Sequence, residues 1–447
     1  MNFEGRVHIL RDLPIKNGEY VLYWMQATQR AEHNHALCYA IKLADENNLP
    51  LIVFFGIDET YPEANLRHYT FMLEGLQDVE EALKKLGIKF IVWIAHPVEG
   101  VERLSANAAI VVTDFGYLRH QRLWRKKLAD SLNCPFHAVE SDIVVPVEKA
   151  SAREEYSAAT LRPKITNLMS FYFELPKEKA PRLNSLHFSI RTVDLKDISS
   201  LLSEMDIDKS VQPVERFHGG TQHAKKSLSH FISKSLDFYT DERSDPSKNF
   251  ASGLSPFLHF GQISPLYIAL KVMETDSPGR DAFLEELIVR RELAINFVYY
   301  NNNYDKVQSL PPWALATLQK HNSDKRQYVY TRLELEQALT HDVYWNAAQR
   351  ELVNTGIIHN YMRMYWGKKI IEWSDSFEEA FDIMVYLNNK YALDGRDPNS
   401  YAGIAWCFGK HDRPWKEREI FGTVRYMNEN GLKRKFDMEE YVKRNSK

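Results

Sequence analysis

The sequence predicts two halves of unlike architecture. Residues 1–145 read as an α/β domain on a doubly wound parallel sheet, and residues 213–447 as an all-α domain. Three observations carry this reading. Short apolar runs alternate with helical patterns in the first third of the chain. A stretch rich in Pro, Lys, Ser and Glu follows. Beyond about Pro213 the strand signal vanishes while helical periodicity continues.

The strand candidates are 20–25 (YVLYWM), 51–56 (LIVFFG), 88–94 (IKFIVWI), 109–113 (AIVVT) and a weaker 135–140 (PFHAVE). Runs this apolar fit strands covered on both faces, and the helical pattern at 68–86 supplies one cover. No GxGxxG follows the first strand, so a standard dinucleotide fingerprint is absent. Residues 146–212 read as a connector running over the surface with short helices. In the second half, 281–300, 341–373 and 376–391 carry helical periodicity, and SDPSKN, NNNYDK, LPPW and LDGRDPNS break it.

Composition narrows the class. The chain has 447 residues, 44% hydrophobic and 26% charged, which fits a folded globular protein and excludes a disordered or collagenous one. The net charge of −3 excludes a uniformly basic nucleic-acid binder, though not a local basic patch. Cys38, Cys134 and Cys407 are scattered, so neither a disulfide framework nor a cysteine zinc site is expected. MNFEGRVHILRDLP lacks an apolar signal core, and no run approaches a membrane span. A cytoplasmic protein is expected, associated with the nucleoid if the source is prokaryotic.

No GxSxG, HExxH or Walker A motif occurs. His259, His359 and His411 are isolated and fit structural roles better than metal ligation. The densest polar cluster is LDGRDPNSY at 393–401; it reads either as a capped turn or as a loop whose carboxylates meet a cofactor's polar edge. Residues 245–249 and 252–255 read either as helix capping or as a phosphate cradle. Trp366 and Trp373 are seven residues apart, two helical turns and about 10 Å along the axis, with Trp345 on the preceding segment. Such a row either relays electrons or packs a core. Residues 410–447 hold eleven Lys/Arg against seven Asp/Glu, including Lys433, Arg434 and Lys435. This is either a phosphate-facing patch or a solvated helix end.

Taken in order, LSPFLHFGQIS (254–264), FLEELIVRRE (283–292), YWNAAQ (344–349), RMYWGKKIIEWS (363–374), LDGRDPNSYAGIAW (393–406), HDRPW (411–415) and GTVRYMNENGLKRKFD (422–437) resemble the photolyase/cryptochrome flavoproteins. Within them the likeness is to the class II cyclobutane-pyrimidine-dimer photolyases, and YSAATLRPK (156–164) is similar to the segment that follows the family's sheet. The resemblance implies an antenna-type sheet domain and a helical domain binding FAD and the DNA lesion. It implies light-driven DNA repair, with photoexcited reduced FAD passing an electron to a flipped-out dimer; the alternative it leaves is a cryptochrome-like blue-light receptor without repair.

Carried over residue by residue, the resemblance puts Tyr239, Ser252, Gly253, Leu254, Ser255, Arg363, Asp394 and Asp397 around FAD, with Asn388 facing flavin N5. Trp366, Trp345 and Trp373 match the electron-transfer tryptophans, and Tyr330 an accessory tyrosine. Arg243, Glu286, Met364 and Trp406 match lesion or DNA contacts, with Lys433, Arg434 and Lys435 in reach of phosphates. A second pigment, deazaflavin or folate, is a family possibility, and the family default is a monomer acting on dimer-containing DNA. The chain departs from the class II pattern at Ile295 (usually Asp), at GIIHN 356–360 (usually GKMHG), in a shorter loop at 407–410, and at 26–35 (QATQRAEHNH).

Overall fold

The structure, a computed structural model, describes residues 3–446. Six strands, β1 (Val7–Arg11), β2 (Tyr20–Trp24), β3 (Leu51–Ile57), β4 (Lys89–Ile94), β5 (Ala108–Asp114) and β6 (Phe136–Val139), form one sheet in the order β1-β6-β5-β2-β3-β4. After edge strand β1 the chain crosses to β2 inside the sheet and winds outward both ways, through β3 and β4 on one side and β5 and β6 on the other. Side chains of β2 alternate between two cores. Val21 and Tyr23 pack with helices His35–Glu46 and Leu66–Lys85, while Tyr20, Leu22 and Trp24 pack with Pro97–Ser105 and Arg119–Ser131. Both faces are covered, which is why these strands read as unbroken apolar runs.

One edge differs from the expected all-parallel sheet. β1 runs antiparallel to β6, pairing Val7 with Val139. Its VHILR pattern is half exposed, with Ile9 at 60%, so it lacks the apolar run that marks a doubly covered strand. An edge strand needs cover on fewer sides, and an antiparallel neighbour needs no crossover helix.

Among the described residues every regular element after β6 is helical. The segment 146–212 contains helices Val147–Ala150, Ala158–Tyr172 and Ile198–Glu204. Its first part is not a surface run: Ala158, Leu161, Ile165 and Tyr172 are buried with Phe283 and Leu287 of the helical half. The periodic stretch 341–373 divides into Val343–Thr355 and Asn360–Trp373, because Gly356 takes φ +72° and caps the first helix by donating its N–H to Leu352 O. Asp342 caps the same helix through the Tyr344 and Trp345 N–H groups and accepts from the Tyr365 hydroxyl, which fixes the two helices against each other.

A continuous helix spans 280–300, α-helical at Arg280–Leu284, π-helical at Glu285–Arg290 and α-helical again at Arg291–Tyr300. It carries the joint between the halves. Buried Glu292 accepts from the N–H groups of Val144 (2.6 Å) and Val145 (3.3 Å), where the chain leaves the sheet. Arg291 donates to Asp142 O (2.6 Å), and Arg30 spans Asp142 Oδ1 (2.6 Å) and Gly261 O (2.8 Å). At Gly261, φ is +65° and an added Cβ would lie 2.0 Å from Ala27 O. The two halves meet backbone to backbone there.

Two predictions follow from the joint. Gly261→Ala meets both an unfavourable φ and rigid backbone, so the melting temperature should fall, by about 1–3 kcal/mol of stability; an unchanged thermal melt would show that the contact relaxes without cost. Burial raises the Glu292 carboxyl to about 8, against the opposing pull of the Val144 N–H, Arg291, the Val145 N–H and Arg6. The folded state therefore keeps a proton that the unfolded chain releases, and its stability contribution declines as pH rises from the ordinary carboxyl range to about 8. Glu292→Gln stays neutral throughout, so its melting temperature should gain on the parent across that window; a constant difference between pH 5 and pH 9 would refute the assignment.

Candidate functional site: a cationic cavity beside a tryptophan row

A cavity of about 820 Å³ opens in the helical half. Its walls come from the loop after Tyr239, the π-helical stretch, the start of the Asn360–Trp373 helix, the Pro398–Cys407 helix and the C-terminal helix Met438–Arg444. Twelve residues that the sequence assigns to cofactor or lesion converge on it: Tyr239, Arg243, Ser252, Gly253, Leu254, Ser255, Glu286, Arg363, Met364, Asp394, Asp397 and Trp406. They come from segments up to 167 positions apart in sequence, from Tyr239 to Trp406.

The electrostatics are lopsided. Eight Arg and Lys side chains line the cavity against four carboxylates. Burial pushes His359 and His411 down to about 4, so both are neutral at pH 7. The surplus of fixed positive charge favours a polyanion, and the low-dielectric walls concentrate its field.

One group behind the wall is built for a hydrogen bond it lacks. Arg363 bridges two residues, donating to Asn388 Oδ1 and to Asp394 Oδ1 (3.4 Å). The Asn388 amide is thereby oriented, yet its Nδ2, in a side chain only 2% exposed, has no partner. A buried amide donor without an acceptor is costly, and it marks a place for a ligand acceptor. Asp397 caps the Pro398–Cys407 helix through the Asn399 N–H (2.8 Å), and its second oxygen faces His259 Nδ1 at 3.3 Å. Burial alone would raise this carboxyl, but His259 and Arg291 hold it below its ordinary range, so it is ionised.

On the other side, Glu286 sits in the π-helical stretch and pairs with Arg243 at 2.8 Å, both about one-third exposed. The Arg243 guanidinium lies 5.5 Å from the Tyr239 ring. A π-turn adds a residue to the helical turn and widens it, and it brings both Glu286 and Arg290 to the cavity. Half-buried Trp406 is flanked by Lys368 (5.7 Å) and Arg425 (5.5 Å), and Arg425 also lies 5.1 Å from Trp415. Burial lowers Lys368 to about 8, and its ammonium donates to Cys407 O.

The three tryptophans form a row whose middle member is Trp345. It stacks on Trp366 at 6.5 Å with planes 4° apart, and meets Trp373 edge-on at 5.7 Å. All three are at most 2% exposed. The Trp345 indole donates to Trp366 O (3.0 Å), and the Trp366 indole to Gln349 Oε1 (2.9 Å). The row starts three residues beyond Arg363 on the same helix.

Lys433, Arg434 and Lys435 do not line the cavity. Lys433 pairs with Glu429 and Arg434 donates to Asn430 O, while Lys435 reaches the Tyr361 hydroxyl (3.1 Å), a residue of the cavity wall. Ile295 lies in a separate cavity of about 60 Å³ between the halves, beside Tyr61 and Tyr117. Sequence reading missed Arg216, Arg291, Arg425, Arg444 and Glu351, which line the large cavity as isolated residues of separate elements. His359 and His411 do have the local roles expected of structural histidines. His359 caps the Asn360–Trp373 helix, and His411 Nδ1 lies 2.8 Å from Tyr156 O. They nonetheless face the cavity as well.

Comparison with known proteins shows the family. The family described as DNA photolyase matches residues 21–182. A deoxyribodipyrimidine photo-lyase of Methanothermobacter thermautotrophicus is 49% identical over 431 residues, covering 96% of this chain and 95% of its own. One from Potorous tridactylus is 41% identical, over 95% of this chain and 80% of its own. The structure of an archaeal photolyase from Sulfolobus tokodaii, solved with two FAD molecules, superposes with a TM-score of 0.71 at 16% identity, covering 95% of this chain and 89% of that one. The chain belongs to the photolyase/cryptochrome family. Members of that family bind FAD.

The residues present fit that group. The unpartnered Asn388 amide, the cationic lining and an open helix face all suit a bulky anionic cofactor. At Gly403, within the Pro398–Cys407 helix and on the cavity wall, an added Cβ would meet nothing within 4 Å. Gly403→Leu should therefore keep or raise the melting temperature, since leucine is the better helix former by about 1 kcal/mol, while its side chain projects into the cavity and abolishes flavin retention on purification. A yellow, flavin-loaded Gly403→Leu protein would show that the cavity is not where the cofactor sits.

Proposed function

We propose that this protein is a class II deoxyribodipyrimidine photo-lyase, which uses blue light and FAD to split cyclobutane pyrimidine dimers in DNA. The observation that carries this reading is the single cavity on which the flavin-type residues Arg363 and Asp394 and the lesion-type residues Glu286, Arg243 and Trp406 converge, with the tryptophan row leading away from it. The motif series from Leu254 to Asp437 supports the class II assignment.

Bound reduced FAD supplies the light-driven electron, and the protein's task is to hold, tune and exclude. Asn388 offers its free amide N–H to an acceptor on the cofactor without being an acid that exchanges a proton there. Arg363, itself oriented by Asp394, would offset the negative charge of a bound anionic cofactor. A stacked dimer cannot reach a buried cofactor, so it must leave the duplex, and a damaged pair costs less to flip. Trp406 presents a half-buried face for the extruded bases, and the Glu286 carboxylate, steadied by Arg243, accepts from a base-edge N–H. Trp366, Trp345 and Trp373, in ring contact in that order, would conduct electrons between a bound cofactor and the protein surface.

Two measurements test this. In the first, protein loaded with FAD and chemically reduced is illuminated with a strand carrying one thymine dimer, and the dimer should disappear only in the light. A normal flavin spectrum with no repair would favour a photoreceptor. In the second, Trp406→Ala should weaken binding to dimer-containing DNA by about 1–3 kcal/mol, the range for base–aromatic stacking. Unchanged affinity in a gel-shift titration would remove Trp406 from the lesion site.

A further inference from the structure

Two kinds of tryptophan stand near the cavity, and their surroundings differ in charge. Trp366 opens a row: it stacks on Trp345, which meets Trp373, and Trp373 meets Tyr330 at 5.4 Å. Among the described residues no cation lies over the Trp366 or Trp345 ring. Arg363, one turn before Trp366, is engaged by Asn388 and Asp394. Lys369, 5.6 Å from the Trp373 ring, is paired with Glu372 at 2.7 Å. Trp406 is the reverse. It lines the cavity wall half-buried, and among the described residues its ring contacts no other aromatic ring. The Lys368 ammonium lies 5.7 Å from its ring centroid and the Arg425 guanidinium 5.5 Å, and neither cation forms an ion pair among the described residues. Lys368 is fully buried and donates to Cys407 O, at the end of the helix that holds Trp406. Facing it are the Cys407 thiol, pushed up to about 11 by burial and so uncharged, the Asp412 carboxylate and Arg425. A buried lysine with no carboxylate in contact is costly to keep, and neutral residues could fill the same space at less cost.

We propose that the charge on Lys368 guards Trp406 against oxidation, so that electrons drawn into the cavity come from Trp366 and its row. The second half of this rests on the flavin reading above. Removing one electron from a neutral indole leaves a radical cation. A positive charge already held beside the ring opposes that step, and in a buried site little solvent screens the opposition. The row has the opposite bias. The Trp366 indole N–H donates to Gln349 Oε1 (2.9 Å) and that of Trp345 to Trp366 O (3.0 Å), and each bond strengthens as its ring becomes positive. The electron count is the same at either ring: one electron passes from the indole to the photoexcited oxidised flavin, and no bond breaks. At Trp366 the vacancy is filled by an electron from Trp345. At Trp406 no neighbouring ring can fill it, so the same electron returns and the photon is wasted. Lys368 thus acts through Trp406, and it also spares the ring face offered to the extruded bases.

Chlorine dioxide, a neutral one-electron oxidant that leaves as chlorite, tests the guard in the dark on the full flavin-loaded chain. Peptide mass mapping compares damage at Trp406 with damage at Trp415, which shares Arg425 but has no lysine over its ring. Lys368→Gln keeps an N–H for Cys407 O and removes the charge, so the Trp406 to Trp415 ratio should rise about fivefold or more. Taking the parent from pH 7 to pH 9 should raise it too, since burial lowers Lys368 to about 8, and should leave Lys368→Gln unmoved. A parent-level ratio in Lys368→Gln, or an equal rise with pH in both proteins, overturns the proposal. In flash absorption on protein loaded with oxidised FAD, Lys368→Gln should lose about half or more of the long-lived tryptophan radical, and adding Trp406→Phe should restore the parent yield. A loss that Trp406→Phe does not restore would make Lys368 a packing residue and overturn the proposal. No tryptophan radical in the flavin-loaded parent, with the dark ratio still raised in Lys368→Gln, would overturn the electron-row reading and leave the guard on Trp406 standing.

Discussion

The carboxyl of Glu292, buried against the backbone N–H groups of Val144 and Val145, is the contact on which the rest of the molecule depends. The chain leaves the sheet at that point, and the helix that supplies Glu292 is the same one that walls the cavity. Burying a carboxyl is expensive unless its lone pairs are used. Here they are used to fix where the sheet ends relative to where the cavity begins. Arg291, one residue earlier, repeats the device against Asp142 O, and Arg30 closes the circuit from the sheet side to Gly261. Cavity geometry is thus set by backbone hydrogen bonds across the joint as much as by packing within the helical half.

A second theme is charge held in fixed states. Burial keeps His359 and His411 neutral, while His259 and Arg291 keep Asp397 ionised despite its burial. Between about pH 5 and pH 8 these groups present one constant field to whatever enters. Arg363 adds a cation whose direction is set by two acceptors rather than by solvent. A preorganised field of this kind does not have to reorganise when charge moves.

Much of this was legible in the sequence, for physical reasons that differ by region. Doubly covered strands such as β2 and β3 must be apolar at every position, so runs like YVLYW announce them. Edge strand β1 obeys no such rule and was invisible. The turn residues of LDGRDPNSY marked a capped turn, and it was the resemblance, not the spacing, that put Asp394 and Asp397 beside a cofactor. Arg216, Arg425 and Arg444 reach the cavity only through tertiary packing, and a lone arginine carries no local pattern. The spacing of Trp366 and Trp373 put them about 10 Å apart on one helix face; that Trp345 sits between them depends on Asp342 and Tyr365 docking the preceding helix against theirs.

The π-helical stretch at Glu285–Arg290 has a consequence for how this family can vary. A π-turn is an α-helix with one residue too many, and each residue of an α-helix turns the chain by about 100°. Deleting a single residue there would heal the helix to ordinary hydrogen bonding. It would also swing the side chains on one side of the deletion by a quarter-turn or more relative to those on the other. Glu286 lies in the stretch and Glu292 two residues beyond it, one lining the cavity and the other facing the joint. The irregular turn therefore sets the phase between the joint and the cavity wall. A change of length there, rather than of composition, would re-aim the cavity wall while leaving the anchor at Glu292 in place.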